Sequence, residues 1–128
     1  WAEVMGNVAQ AALMLGEQLR NEEILLKAAN ACRGVLQVRT RESAPLPWAA
    51  TLNNLGSALY LLGRLRKSGE TLEGASQAFS QARDVYREFA ATKLVAVTEK
   101  NLARVESLHA KLGNRAVPKM SWEDETAP

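Results

Sequence analysis

The amino-acid sequence predicts an all-α chain of antiparallel helix pairs stacked as repeats, and three observations predict it. Ala, Leu, Glu, Gln and Arg dominate while aromatic residues are only 5%, a mix that loses little rotamer freedom in a helix. Prolines fall at 45, 47, 118 and 128, so 1–44 and 48–117 are free of that helix breaker. The third observation is an internal repeat at an offset of 47 residues. At that offset Trp1-Ala2 matches Trp48-Ala49, Asn7 matches Asn54, and Leu15-Gly16 matches Leu62-Gly63. Leu25, Ala28, Ala31 and Val38 likewise fall on Leu72, Ala75, Ala78 and Val85. The frame continues with Thr51 on Thr98, Asn54 on Asn101 and Leu55 on Leu102. A strict period of this size means supersecondary units that bury their apolar faces only by stacking.

The expected organisation is one domain over 1–116, followed by a polar acidic tail at 117–128. Within the domain the first repeat is 1–47, the second 48–94, and a half repeat closes it at 95–113. Five helices are expected, roughly 2–18, 22–41, 47–65, 69–90 and 93–112. Leu52, Leu55, Leu59 and Leu62 recur at spacings of three and four, one stripe of a 3.6-residue period. Pro47 suits a first turn, and Gly63 with the polar stretch Arg64–Gly69 ends that helix. Its partner carries Leu72, Ala75, Phe79, Ala82, Val85 and Tyr86/Phe89, with small alanines that let helices approach and Phe79 as a wedge. The first unit repeats the stripe with Leu25, Ala28, Cys32, Val35 and Val38, behind an Asn21 cap and acidic Glu22 and Glu23. The fifth helix runs through Val95, Leu102, Val105, Leu108 and Leu112 to a stop at Gly113-Asn114.

Composition narrows the function. The net charge of +2 makes no case for nucleic acid, and the basic residues Arg64, Arg66 and Lys67, expected in a solvated loop, have no interleaved aromatics. No apolar run reaches the ~18–20 residues of a membrane span, and the start has no signal-peptide layout, so a cytoplasmic protein is expected. The chain opens on Trp1 rather than Met, so an excerpt of a longer protein is expected. One cysteine excludes an internal disulfide framework and one histidine argues against a histidine metal cage. Cys32 stands in register with Phe79 and reads as a small core residue; His109 reads as a helix-end histidine. No nucleophile–base pair, metal set or phosphate-binding glycine loop is evident, so neither catalysis nor a cofactor is expected.

The run Leu52-x-x-Leu55-Gly56-x-x-Leu59, followed by Ala75-x-x-x-Phe79 and Ala82, resembles the tetratricopeptide repeat. The resemblance covers 1–112, with a period of 47 against about 34 in that family. Seven or so extra residues fall between the paired helices and the rest after the second, at helix ends where insertions are tolerated. The stretch Ala50-Thr51-Leu52-Asn53-Asn54-Leu55 is similar to the long-repeat branch typified by kinesin light chains. The resemblance implies a scaffold that binds a protein or peptide on a concave face lined by the first helix of each pair.

Asn7, Asn54 and Asn101 share one slot in three successive first helices, rotated by about 100° from the core-facing Val8, Leu55 and Leu102. Each carboxamide offers a donor and an acceptor, which suits the backbone of an extended peptide. The resemblance implies the same role for an Asn in this slot; bracing between neighbouring helices is the other reading. Gln10, Ser57 and Arg104 lie one turn later, with Lys100 nearby, and add polar specificity. One arginine and one lysine fall short of the family's carboxylate clamp. Trp1 and Trp48 lead their units and are expected to pack between them. A second function class is self-association, or stacking on further repeats, through an unsealed end. In the tail, one reading has Met120 and Trp122 pin the segment in a groove, with Glu123, Asp124 and Glu125 near basic residues; a tag-like remnant without a docked role is the other.

Overall fold

Five α-helices and no strand form among residues 1–116, the part of the chain that the computed structural model describes, with side chains through Gly113. They are α1 (Ala2–Leu19), α2 (Glu22–Val38), α3 (Pro45–Arg66), α4 (Gly69–Glu88) and α5 (Thr92–Ala116). The all-α expectation holds, and the reading of a docked tail lies outside the described residues.

Side-chain caps set two of the starts. The Asn21 carboxamide oxygen accepts the Ile24 N–H at 3.0 Å, and Ser68 Oγ accepts the Thr71 N–H at 3.2 Å, each cap contributing about 1 kcal/mol. Glu22, Glu23 and Glu70 add negative charge to those first turns. The α1–α2 and α3–α4 turns, at positions 47 apart, take the same conformation. Arg20 and Lys67 hold the left-handed position at φ 49° and 53°. The N–H groups of Asn21 and Ser68 then donate back to the carbonyls of Gly16 and Gly63, both at 3.0 Å. This closure satisfies the last carbonyls of the ending helix and reverses the chain within two residues.

The glycines in these turns set the distance between paired helices. A Cβ on Gly16 would lie 2.7 Å from Leu25 Cδ2, and one on Gly63 would lie 2.6 Å from Leu72 Cδ2. Leu25 and Leu72 are fully buried, so neither leucine has room to move aside. One layer deeper, Gly56 lies under the Phe79 ring, its Cβ position 2.8 Å from the ring carbons. The equivalent pair in the first unit is Ala9 with Cys32, both buried: the larger small residue faces the smaller partner. Thr51 and Thr98 are buried in α3 and α5, and their hydroxyls donate to the carbonyls of Pro47 at 2.9 Å and Leu94 at 2.8 Å.

Each helix packs on the next in chain order, and α3 also touches both α1 and α5. Among the described residues α2 and α4 do not touch each other. The contacts Gly16–Leu25, Gly63–Leu72 and Arg87–Glu99 join the end of one helix to the start of the next, so neighbours run antiparallel. Arg66 near the end of α3 reaches Glu22 at the start of α2, with the same consequence. These ion pairs are half exposed and add little stability.

Several expectations need correction. α2 stops at Val38, not 41, because Thr40 and Ser43 accept each other's backbone N–H at 3.2 and 3.1 Å and draw the chain out of the helix. Val38 is therefore exposed rather than part of the core stripe, and Phe89, just past the end of α4, is exposed too. α5 passes the expected stop at Gly113 and runs to Ala116; Gly113 does not take the positive φ of a glycine cap. Arg64 and Arg66 belong to the last turn of α3, not to a loop. Trp48 packs against the core, but Trp1 is 66% exposed, its ring tip 3.5 Å from the Cβ position of Gly34. Val8 is 49% exposed where Leu55 is 8% exposed, because no helix covers that side of α1.

Two alanine substitutions separate the seated glycines from an ordinary one. Gly63→Ala should cost about 1–3 kcal/mol in urea unfolding, the scale of an overpacked core. Gly6→Ala, whose Cβ would meet nothing within 4 Å, should instead raise stability by about 0.5–1 kcal/mol.

Candidate functional site

The α3–α5 contact brings three of the sequence-predicted residues to one place. Ser57, Asn101 and Arg104 line a depression of about 140 Å³, together with Leu13 and Glu17 of α1, Tyr60 and Leu61 of α3 and Phe79 of α4. A shallower one of about 410 Å³ adjoins it through Tyr60 and Arg104, and Lys100, Ser107 and Lys111 line its α5 side. Apart from Phe79, the residues come from α1, α3 and α5, which present positions three and four apart on one face of each helix.

Tyr60 organises this face. The guanidinium carbon of Arg104 lies 5.2 Å from its ring centroid and that of Arg64 lies 5.7 Å away. Each contact is favoured by the ring quadrupole, worth about 0.5–1 kcal/mol at exposed sites. Arg64, Arg104, Lys100 and Lys111 take no part in the ion pairs among the described residues. Glu17 is the acidic residue of the deeper depression. Periodicity missed Tyr60 because its slot holds Leu13 and Ser107 in the other units. The available signal was Arg64 one helical turn beyond an aromatic off the leucine stripe.

The remaining predicted residues are dispersed. Asn54 is half-buried on α3, while Asn7 and Gln10 are exposed on α1 and stand outside both depressions. The side-chain hydrogen bonds among the described residues belong to caps and turns, helix hydroxyls, surface ion pairs and one Arg33–Asn30 contact, and Asn7, Asn54 and Asn101 take no part in them. Ser57 Oγ donates to the Asn53 carbonyl at 3.1 Å, which leaves its lone pairs facing outward. Asn53 Oδ1 is shut off from solvent without a partner among the described residues.

Other titratable groups lie apart from this face. His109 sits between α4 and α5, its Nε2 3.6 Å from Glu73 Oε1 and its ring edge against Gly69. No three His, Cys, Asp or Glu side chains gather as a metal site among the described residues, and no described helix is long and apolar enough to cross a membrane. Cys32 is buried, and desolvation pushes its thiol up from 9.0 to about 11 despite the opposing charge of Arg33.

No protein-family model, curated protein or solved structure matches the chain.

Burial of Cys32 gives a pH dependence of definite sign. The folded state holds the thiol proton more tightly than the unfolded chain, so the stabilisation is fully present below pH 9.0 and is lost as pH rises toward about 11. At pH 8 a thiol reagent should label Cys32 only at the rate of global unfolding. Rapid labelling of the folded chain would show an accessible thiolate instead.

Proposed function

We propose that the chain is a tetratricopeptide-like helical-repeat scaffold that binds an extended peptide or partner segment along the wall made by α1, α3 and α5. One observation carries the reading: Ser57, Asn101 and Arg104, from successive first helices, line one depression with Tyr60 at its wall. The packing supports it as well. α3 touches α1 and α5 while α2 and α4 stay apart, a pattern that draws the chain into a curve with the first helices inside.

Mechanistically, the wall is built from capped, core-packed helices, so a ligand binds without paying to order it. The Asn101 carboxamide, unengaged by the fold, offers a donor and an acceptor to a peptide backbone, and Asn54 extends that row toward α1. Ser57 contributes an acceptor, Lys100 a mobile cation, and Arg104 a planar donor fork already oriented by Tyr60. Binding rather than catalysis is proposed because the Ser57 hydroxyl is committed to a backbone carbonyl, not to a base. A cytoplasmic setting accords with the free Cys32 thiol.

The test is selection of peptides from a displayed random library on the folded chain, followed by affinities of the selected peptides for variants. Asn101→Ala and Arg104→Ala should each weaken binding by about 1–3 kcal/mol, the scale of a lost hydrogen bond to a desolvated or charged group. Arg33→Ala, on α2, should leave it unchanged. Peptides that lose nothing with the α5 variants but depend on Arg33 would contradict the assignment.

A further inference from the structure

The first helices carry two apolar stripes, and the register shows what each is for. One stripe faces the helix that follows: Gly56, Leu59 and Gly63 of α3 meet Phe79, Gly74 and Leu72 of α4. The other faces the helix that precedes. On α5, Val105 and His109 meet Leu72 and Glu73 of α4. On α3, Arg66 at the end of that stripe meets Glu22 of α2. In α3 and α5 this second stripe is covered, with Leu55, Ala58, Leu62, Leu102 and Val105 all buried. In α1 the same slots hold Val8, Ala11 and Leu15, with Val4 in the slot of the buried Thr51 and Thr98, and all four are exposed, Leu15 at 46% where its equivalent Leu62 is at 1%.

The opposite end of the array is finished differently. On α5 the slots of Leu52 and Leu59 hold Glu99 and Glu106, both exposed, and Glu99 pairs with Arg87 at the end of α4. A polar outer face needs no covering helix. α1 carries no charge from Val4 through Gly16, so the surface between Glu3 and Glu17 has no such finish.

We propose that the exposed α1 stripe is a docking surface for one amphipathic helix of the α2 and α4 kind, lying antiparallel to α1. Such a helix would continue the α2–α3 and α4–α5 interfaces by one element. Its contact stripe is apolar, since Leu15 and Leu19 on α1 stand where His109 and Arg66 meet acidic residues elsewhere. A second copy of the chain has no such helix to spare, because its α2 and α4 are each held between two first helices. The surface is separate from the Tyr60 depression, so this inference stands or falls independently of peptide binding there.

The experiment duplicates residues 22–47 ahead of Trp1 in the full chain, so that the connection that normally enters Trp48 enters its equivalent. Amide hydrogen exchange in α1 is expected to slow at least about tenfold in the extended chain, with a higher melting temperature. Val8→Glu with Leu15→Glu should abolish both gains while leaving the melting of the unextended chain unchanged. Unchanged α1 exchange on extension would overturn the proposal. So would an unextended chain that sediments as a dimer and is returned to monomer by the same double substitution, because a second copy would then be the occupant.

Discussion

The structure depends on how closely a glycine at the end of one helix lets a leucine at the start of the next approach. At Gly16–Leu25 and Gly63–Leu72 the missing Cβ is replaced by leucine side-chain atoms at less than 3 Å from where it would lie. That contact fixes the separation of the paired helices, and the left-handed Arg20 and Lys67 that follow fix their reversal. Two arginine- or lysine-type residues in that conformation carry strain that glycine would avoid. The carbonyl closures to Gly16 and Gly63 compensate for it and return the chain at the angle at which Leu25 and Leu72 seat.

Once the pair geometry repeats, the chemistry of each face follows from position in the helix. Most leucines and alanines of α3 divide between α2 and α4, and what remains, Asn54, Ser57, Tyr60 and Arg64, is left for solvent or a ligand. The concentration of polar and cationic side chains on this third face is thus a consequence of packing. A helix held on two sides has one side to offer. Arg64 on this face and Arg104 across from it on α5 stack on Tyr60 and make no ion pair among the described residues, so their charge stays available.

Much of the fold was legible because a leucine stripe reports helix phase and a 47-residue self-match reports where the phase restarts. Asn21 was legible as a cap for the same local reason: a short carboxamide before two glutamates has little else to do. Local signals failed where two of them competed. Gly113 resembles a stop, yet a glycine ends a helix only when the chain turns there, and here it continues to Ala116. Thr40 and Ser43 gave the stop that was missed, because their mutual capping needs both residues at once. For the site, Ser57, Asn101 and Arg104 were legible from the register, whereas Tyr60 was not, since it occurs in one unit only. Exposure of Val8 and Trp1 was hidden from the sequence for a different reason: a residue's phase says which side it faces, not whether a neighbour stands there.

The most direct test of the repeated pair is a matched set of double-mutant cycles, Gly16→Ala with Leu25→Ala and Gly63→Ala with Leu72→Ala, read by urea unfolding. If both turns are the same device, each leucine truncation relieves the added methyl and the two coupling energies agree within about 0.5 kcal/mol. Strong coupling at one turn with additivity at the other would mean that the two helix pairs are not copies of one unit, and the common wall they build would lose its basis.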